Sequence, residues 1–542
     1  MKKYIYIISA ALSLSSCVGD LDTLPLNAND PISEYVYGKD EDAYISGLAR
    51  LYFQFVTNDL TDLQAMDGGA SEIIRAFWSI QETTTDAAKC SWGNDAWVRA
   101  LNTTTWSEAQ NDAVYAVYVR TLQGISYVNE YLRQTAPERL KARGVDAALA
   151  SRIETYRAEA RFIRAYLYWM ALDTFGSVPF ITESSPVGGN YYPRQASRTD
   201  VFNYCVGELE DLLKEGSPMP EPRYAYPRAD KGAVAGLLAR MYLNAEVYTG
   251  TPMWDKAADK CEEIFDMGYA LSPDYSAMFR GDNGQNMSAR GEFLWAIDYS
   301  DAQTNSYGGT TYLLAAALAA TDITDESRPN GQRHGWAGLR VPYEYVEKYF
   351  GVTDADYQTG EYSVADLRGR MFYIKGRQQS MEDNLYTYMN GWSCLKYNNI
   401  PHDQTNESFL ATSAVKDYSD VDFPMIRLGE IYLIYAEACM NMGQSEKAMP
   451  YVADLSARAG VPVPSQITTD FLVAERAREL MWEGHRRTDL IRFGLFHTSE
   501  YLWPYKGGDD FAGQAFPQYK CLFSLPPTEL AANPTLVQNP GY

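Results

Sequence analysis

The sequence is poor in the residues that build metal, disulfide and nucleophile sites. It contains 4 His and 7 Cys in 542 residues, and no two cysteines have CxxC spacing. The HExxH spacing of zinc proteases, a glycine-rich phosphate loop and a GxSxG nucleophile turn are also missing. We therefore expect no catalytic residues, no metal site, no cofactor and no disulfide framework. Cys205, Cys261 and Cys439 fall in helical patterns, where a buried free thiol is the expected state.

Positive charge is also scarce. Lys and Arg number 47 against 70 Asp and Glu, so the formal net charge is −23. Such a chain repels phosphate backbones, which excludes nucleic acid as a partner and favours a neutral ligand. Aromatic residues make up 13% of the chain, with 42 Tyr and 11 Trp. These rings supply rigid contact area with a polar tip and are common on binding faces.

Long apolar runs are absent after the N-terminus, and the longest candidate, 312–320, is too short to span a bilayer, which takes roughly 20 residues. The N-terminus itself has Lys2 and Lys3, then the apolar run 4–14. This order predicts a secretion signal, residues 1–16, that is removed.

Small residues lead from the apolar run to Cys17, and Asp20 and Asp22 follow it. The ending resembles a bacterial lipobox, in which the cysteine is acylated; an ordinary signal with a chance cysteine is the alternative. The two acids resemble an export tag to the cell surface. We expect Cys17 to carry a lipid anchor in the outer membrane, with residues 17–39 as a tether.

Three segments share alanines and large apolar residues at helical spacing, and each precedes a second amphipathic helix. Paired helices that bury a face only by stacking resemble tetratricopeptide units. The sequence therefore predicts a mainly α fold, a tetratricopeptide-like paired-helix scaffold. The predicted pairs are 159–168 with 200–214, 235–244 with 254–267, 430–439 with 445–459, and a fourth pair of 42–56 with 112–132.

The stretch 271–422 differs in composition from the rest, being rich in Gly, Asn, Asp and Tyr. It includes possible strands at 293–297 and 371–375 and a short helix at 343–350. We interpret it as a loop-rich, ligand-binding insertion between an N-terminal helical scaffold, 40–270, and a C-terminal helical scaffold and tail, 423–542. A second loop-like stretch, 83–105, contains further tryptophans. Loops on a rigid scaffold are where binding function concentrates.

Two tryptophans stand in polar, glycine-flanked settings that are poor core surroundings. Trp92 is followed by Gly-Asn-Asp, and Trp336 lies between Gly335 and Ala337-Gly338. An exposed indole offers a flat apolar face for the C–H side of a sugar ring. Single tryptophans are more often core, so both interpretations stay open. The polar residues that could bond sugar hydroxyls nearby are Asn94, Asp95, Arg333 and Arg340.

Two acidic segments could have a functional role. In 475–489, Glu483 and His485 could form an acid/base pair, but interleaved arginines favour ion pairs along one helix face. In 417–422, closely spaced acids could hold calcium, but the EF-hand glycine and twelfth-position glutamate are missing. We favour a solvated loop there, so that calcium is possible without a motif to support it.

Five segments together resemble the SusD/RagB family of outer-membrane glycan-capture lipoproteins: 157–180, 227–243, 422–438, 483–492 (Glu-Gly-His-Arg-Arg-Thr-Asp-Leu-Ile-Arg) and 533–541. The resemblance implies a helical tetratricopeptide-like scaffold with a loop-rich half. It also implies a non-catalytic surface protein that covers a SusC-like TonB-dependent transporter and delivers oligosaccharides to it. Trp92 and Asp95 resemble the family's sugar-contact loop, and Trp336 its Gly-Trp-Gly platform. Some relatives bind calcium.

The leading hypothesis is therefore capture of an oligo- or polysaccharide at the cell surface. A lid or adaptor of a transporter that captures peptides or other nutrients is the first alternative, and a surface glycosidase is the second.

Overall fold

The computed structural model describes residues 37–58, 68–188, 191–324, 327–353, 356, 362–412 and 415–542. The expected signal, Cys17 and most of the expected tether lie outside the described residues. Within these ranges, every helix is too short or too polar to cross a membrane.

The described residues are mostly helical. A long central helix shows why: its apolar residues cover all sides from Ala158 to Phe175, as befits a buried helix. Asp146 caps its start by accepting from the Leu149 amide at 2.8 Å, and Gly176 at φ 73° ends it. The helices are α1 Glu41–Phe53, α2 Ile73–Glu82, α3 Ala96–Asn102, α4 Asp112–Gln134, α5 Pro137–Arg143, α6 Ala147–Phe175, α7 Arg198–Leu213, α8 Lys231–Leu243, α9 Ala245–Thr249, α10 Trp254–Phe265, α11 Met287–Glu292, α12 Gly309–Ala315, α13 Tyr343–Phe350, α14 Asn406–Ala411, α15 Leu428–Asn441, α16 Ser445–Ala459, α17 Thr469–Glu479, α18 Arg486–Arg492 and α19 Pro527–Ala532.

The helices pack on one another in the predicted order. α6 packs on α7, α8 on α10, and α15 on α16, while α7 to α8 and α10 to α15 contacts join one pair to the next. The small residues Ala257, Ala258 and Ala448 are buried at these contacts. The paired-helix prediction is confirmed for these three pairs. The fourth pair, α1 with α4, is in contact, but α6 is the main neighbour of both helices.

Short strands form two-stranded antiparallel sheets in the described residues. The predicted strand at 293–297 and the predicted helix at 343–350 are present. The predicted strand at 371–375 is reduced to two residues after a 3-10 turn. The sheets pair β1 Lys89–Cys90 with β5 Leu339–Arg340, β2 Val178–Pro179 with β3 Gln195–Ala196, β4 Phe293–Ile297 with β8 Phe423–Arg427, and β6 Phe372–Tyr373 with β7 Ser393–Cys394.

The acidic segment 475–489 is not one helix with local ion pairs. α17 ends at Glu479, and a turn precedes α18 at Arg486. The carboxylates are buried and bond mainly to cations that are distant in sequence, such as Arg368 and Arg427. That prediction was right that the acids are paired and wrong about their partners.

These pairs form one closed set, the ion network. Its five carboxylates and five cations carry equal and opposite charges, and their attraction offsets the cost of burying them. The carboxylates are Asp366, Glu292, Glu475, Glu479 and Glu483, and the cations are Arg368, Lys396, Arg427, Arg458 and Arg478.

The segment 417–422 is not a solvated loop either. Val421 and Asp422 are buried, and Asp422 accepts hydrogen bonds from the hydroxyl of Tyr226 and the amide of Tyr299. Burial raises the pKa of Asp422 well above its ordinary value. The three cysteines predicted to be buried thiols are free and buried.

Candidate functional site

A short sheet brings the two predicted tryptophans together. Lys89 of β1 pairs with Arg340 of β5, and Cys90 pairs with Leu339. The pairing continues past the strand, where the Ser91 amide donates to the Gly338 carbonyl at 2.8 Å. One residue further, the indole N–H of Trp92 donates to the Trp336 carbonyl at 3.2 Å. Both tryptophans are half-buried.

The loop that carries Trp336 is bonded to the end of α12. The amides of Trp336, Ala337 and Gly338 donate to the carbonyls of Ala315, Leu318 and Ala316 at 2.8 to 2.9 Å. Ala337 adopts a φ of 51°, which costs a non-glycine residue about 1 to 2 kcal/mol.

The close packing of this loop also explains its second glycine. A Cβ on Gly338 would lie 2.7 Å from the Trp92 ring, so only glycine fits without movement. The loop therefore has a fixed shape that positions the Trp336 ring.

Two tyrosines extend the surface beside Trp336. The Tyr307 ring lies 6.0 Å from the Trp336 ring and 4.9 Å from the Tyr418 ring, measured between centroids. Tyr307 is 42% exposed. Its hydroxyl hydrogen-bonds Tyr418, and this bond, with burial, raises the pKa of Tyr418 to about 12. We call Trp92, Tyr307, Trp336 and Tyr418 the aromatic shelf.

Arg75 of α2 contacts both the Trp92 side and the Tyr307 side of the shelf. Its guanidinium lies 4.2 Å from the centroid of the buried Tyr312 ring and 5.6 Å from that of Trp92. It also donates to the carbonyls of Gly68 and Tyr307 at 3.3 and 3.4 Å. One buried cation thus contacts both halves of the shelf.

Glu72, just before α2, holds the loop of Tyr307. Its buried carboxyl accepts hydrogen bonds from the hydroxyls of Ser306 and Tyr299. Burial outweighs these bonds and raises the pKa of Glu72 to about 7. A Cβ on Gly308 would lie 2.2 Å from the same carboxyl group, so the loop lies directly on Glu72.

Exposed polar side chains lie next to the shelf residues in the chain. Arg333 pairs with Asp417 at 2.8 Å, and His334 lies 3.4 Å from the same carboxylate. These three side chains and Asn94 are exposed. The arrangement offers ring faces for apolar contact and donors and acceptors within a residue or two of each ring.

Three of the four predicted site residues lie at this surface. Asp95 is half-exposed at the start of α3, where its amide donates to the Trp92 carbonyl at 3.1 Å. Arg340 is a correction: it is fully buried, and its guanidinium donates to the carbonyls of Leu385, Thr387 and Asn390 at 2.7 to 3.0 Å. A surface ligand does not reach it. Trp97, in the loop-like stretch 83–105, and Trp106, directly after it, are core residues.

Tyr307 and Tyr418 were not predicted as site residues. Tyr307 stands in Asn-Ser-Tyr-Gly-Gly, the same polar, glycine-flanked setting that singled out the tryptophans. Applying that criterion to tyrosine would have found it. Tyr418 has no such signal, because only the tertiary fold brings it to Tyr307.

Glu483 and His485 do not form an accessible acid/base pair. Burial alone would raise the pKa of Glu483, but Arg427 and Lys396 outweigh it and lower that pKa. His485 lies 4.0 Å from Glu430, and burial lowers the pKa of its ring to about 4. Across the described ranges, His, Cys, Asp and Glu do not gather in groups of three or more that could hold a metal ion.

Two family descriptions match the chain. Residues 291–542 match the SusD family, and residues 57–243 match a SusD-like family described as starch-binding and associating with the outer membrane. The chain is 30% identical to the starch-binding protein SusD of Bacteroides thetaiotaomicron, over all of this chain and 99% of that protein. It is 24% identical to a SusD-like protein of Bacteroides ovatus, over 64% of this chain and 60% of that one.

Solved structures agree on the fold. A SusD superfamily protein of Bacteroides vulgatus matches with a TM-score of 0.68 at 18% identity, covering 93% of this chain and 99% of that one. Surface glycan-binding protein A of Bacteroides thetaiotaomicron, solved with laminarihexaose, matches with a TM-score of 0.65 at 19% identity, covering 92% and 99%. With its helical pairs, its shelf and a full-length relative at 30% identity, the chain belongs to the SusD family.

Proposed function

We propose that the protein binds glycans on the aromatic shelf and performs no chemistry on them. The carrying observation is the row of Trp92, Trp336, Tyr307 and Tyr418, held by backbone bonds and the buried Arg75. Ring faces suit the apolar faces of sugars, and the surrounding polar groups suit their hydroxyls. The relatives named as starch-binding and as bound to laminarihexaose support this ligand class.

The physical design favours modest affinity. The shelf is an open surface, so a bound chain stays partly hydrated, and its ordering offsets part of the contact energy. Release is then easy, which suits a protein that captures a polymer and passes it on.

The test is titration of the mature protein against a panel of neutral glycans, including starch and laminarin. We expect Trp336→Ala and Trp92→Ala each to weaken binding about tenfold or more, equivalent to about 1.4 kcal/mol. Trp336→Phe keeps a ring and should retain most of the affinity. Tyr224→Ala is the matched control, since this tyrosine is 60% exposed and outside the shelf.

If glycan binding survives both tryptophan substitutions, the glycan site lies elsewhere on the protein. A protein that binds no glycan but co-purifies with a transporter would favour the lid or adaptor role, and release of sugar products would favour a glycosidase.

We further propose that Cys17 is acylated and anchors the protein in the outer membrane, where it delivers glycan to a SusC-like TonB-dependent transporter. The signal and lipobox pattern and the outer-membrane description of the matching family support this. Cys17→Ala should shift the protein from the membrane fraction to the soluble fraction without changing glycan affinity in vitro. A variant that stays in the membrane would contradict the anchor.

A further inference from the structure

A second concave site lies apart from the aromatic shelf. It has a volume of about 510 Å³, within the usual range of small-molecule pockets. No residue of the shelf lines it. The side chains that matter here are those of Tyr275, Phe279, Arg280, Arg370, Lys396 and Arg458.

The inner wall of this cavity is electrically balanced. Lys396 and Arg458 belong to the ion network, whose five cations meet five carboxylates. Tyr275 donates its hydroxyl to the Glu479 carbonyl at 2.7 Å, and the Lys396 ammonium lies 4.1 Å from the centroid of Phe279. The wall is therefore rigid and contributes little net charge.

Arg280 is a cation with no such balance. It is half-buried, and among the described residues its guanidinium donates to the carbonyls of Ile400 and Pro401 alone, at 2.7 and 3.4 Å. Asp274 and Asp282 act on it from a distance, and Asp274 is held by His402 at 2.8 Å. Burial lowers the pKa of Arg280. A partly desolvated cation bonded only to neutral groups gains stability from an anion.

Arg370 adds a second positive charge to the same cavity. It is exposed, and in the part of the chain that the structure describes no carboxylate lies within 4.0 Å of it. Two such arginines in one concave site contrast with a chain whose net charge is −23. The lining also includes the carboxylate of Asp274, which His402 holds at 2.8 Å, so positive charge remains in excess in the cavity.

We propose that this cavity binds a small carboxylate-bearing ligand, with Arg280 and Arg370 as the groups that hold the carboxylate. The planar guanidinium matches a carboxylate in a two-point hydrogen-bonded pair. Ser276, an exposed residue of the lining, can bond hydroxyl groups on the rest of the ligand, which makes a sugar acid the expected class. This site is independent of glycan binding on the shelf.

The experiment titrates the full mature protein with glucuronic acid, glucose, acetate and inorganic sulfate. We expect glucuronic acid to bind more tightly than glucose, and its binding to weaken as salt shortens the Debye length from about 10 Å at 0.1 M to about 3 Å at 1 M. Arg370→Gln and Arg280→Gln should each weaken glucuronic acid about tenfold, because each removes a charge-assisted pair. Arg370 is exposed, so its variant tests the site without a risk to folding.

Matched controls separate this site from the shelf. Arg139→Gln, at another exposed arginine, and Trp336→Ala should leave glucuronic acid binding unchanged, while Arg370→Gln should leave neutral glycan binding unchanged. Acetate competing with glucuronic acid would support the carboxylate as the anchor. Three results would each overturn the proposal. They are binding of glucose as tight as that of glucuronic acid, binding of sulfate when no carboxylate binds, and loss of glucuronic acid binding in Trp336→Ala.

Discussion

The buried carboxyl group of Glu72 holds the loop that carries Tyr307, an exposed residue of the aromatic shelf. It accepts from Ser306, the residue before Tyr307, and from Tyr299. Because burial raises its pKa to about 7, its protonation changes within the pH range in which the protein can be studied. The geometry of the Tyr307 loop and part of the stability of the fold thus depend on this titrating group.

This dependence gives a pH prediction with a definite sign. The pKa of Glu72 rises from an ordinary 4.5 to about 7 on folding, so the folded state holds more protons between those values. The stabilisation from protonated Glu72 is complete below about pH 4.5 and is lost as the pH rises towards 7. Glu72→Gln has no carboxyl group to titrate. The free energy of unfolding of this variant, relative to that of the wild type, should therefore rise by up to about 3 kcal/mol between pH 5 and pH 8.

Urea unfolding of both proteins across that range measures the effect. His485, whose pKa is lowered to about 4, acts in the opposite direction but equally in both proteins, so it cancels in the difference. Glu446→Gln, at an exposed position, is the control and should follow the wild type. Parallel curves for Glu72→Gln and wild type would mean that Glu72 stays ionised when folded.

At the same scale, glycine and polar neighbours singled out Trp92 and Trp336, which are half-buried, but not Trp254, which is also half-buried. The sequence did not predict that the Arg340 side chain is buried. That side chain is buried among the carbonyls of residues 385–390, and no local pattern shows that this loop folds over it.

At the scale of elements, the helices were predictable and the partners of their charges were not. The 3.6-residue spacing of apolar side chains is local, so α15 and α16 could be located from the sequence. An ion pair such as Arg427 with Glu479 joins β8 to α17 across 52 residues, and alternation of charge along a helix gives no information about it.

The ion network should therefore respond unequally to loss of its members. Arg427 is fully buried and bonds three carboxylates, those of Glu292, Glu479 and Glu483. Arg427→Ala leaves buried acids uncompensated and should cost about 3 to 5 kcal/mol. Arg478 is half-exposed at the edge of the network, and Arg478→Ala should cost at most about 1 kcal/mol.

Chemical unfolding of the two variants compares them directly. Equal losses would mean that the network does not depend on its centre, and a small loss for Arg427→Ala would mean that water enters to solvate the acids.

At the scale of the whole molecule, the predicted division at residues 270 and 422 stays a prediction. Hydrogen bonds and ion pairs between distant segments indicate whether the predicted parts can fold separately. The indole N–H of Trp78 donates to the Trp482 carbonyl, and that of Trp482 donates to the Ala87 carbonyl, each at 2.9 Å. The two indole rings lie 5.2 Å apart. Arg486 pairs with Asp86 at 2.8 Å in the buried interior.

These contacts join residues about 400 positions apart, and they include donors that would be buried without partners if the C-terminal part were missing. We therefore expect the chain to unfold as one cooperative unit, with coincident urea transitions by far-ultraviolet circular dichroism and tryptophan fluorescence. A fragment of residues 40–270 should lack a cooperative transition, because its Trp78, Ala87 and Asp86 lose their partners. A fragment that melts sharply alone, or two separate transitions in the full chain, would show that the predicted scaffold boundary is also a boundary of stability.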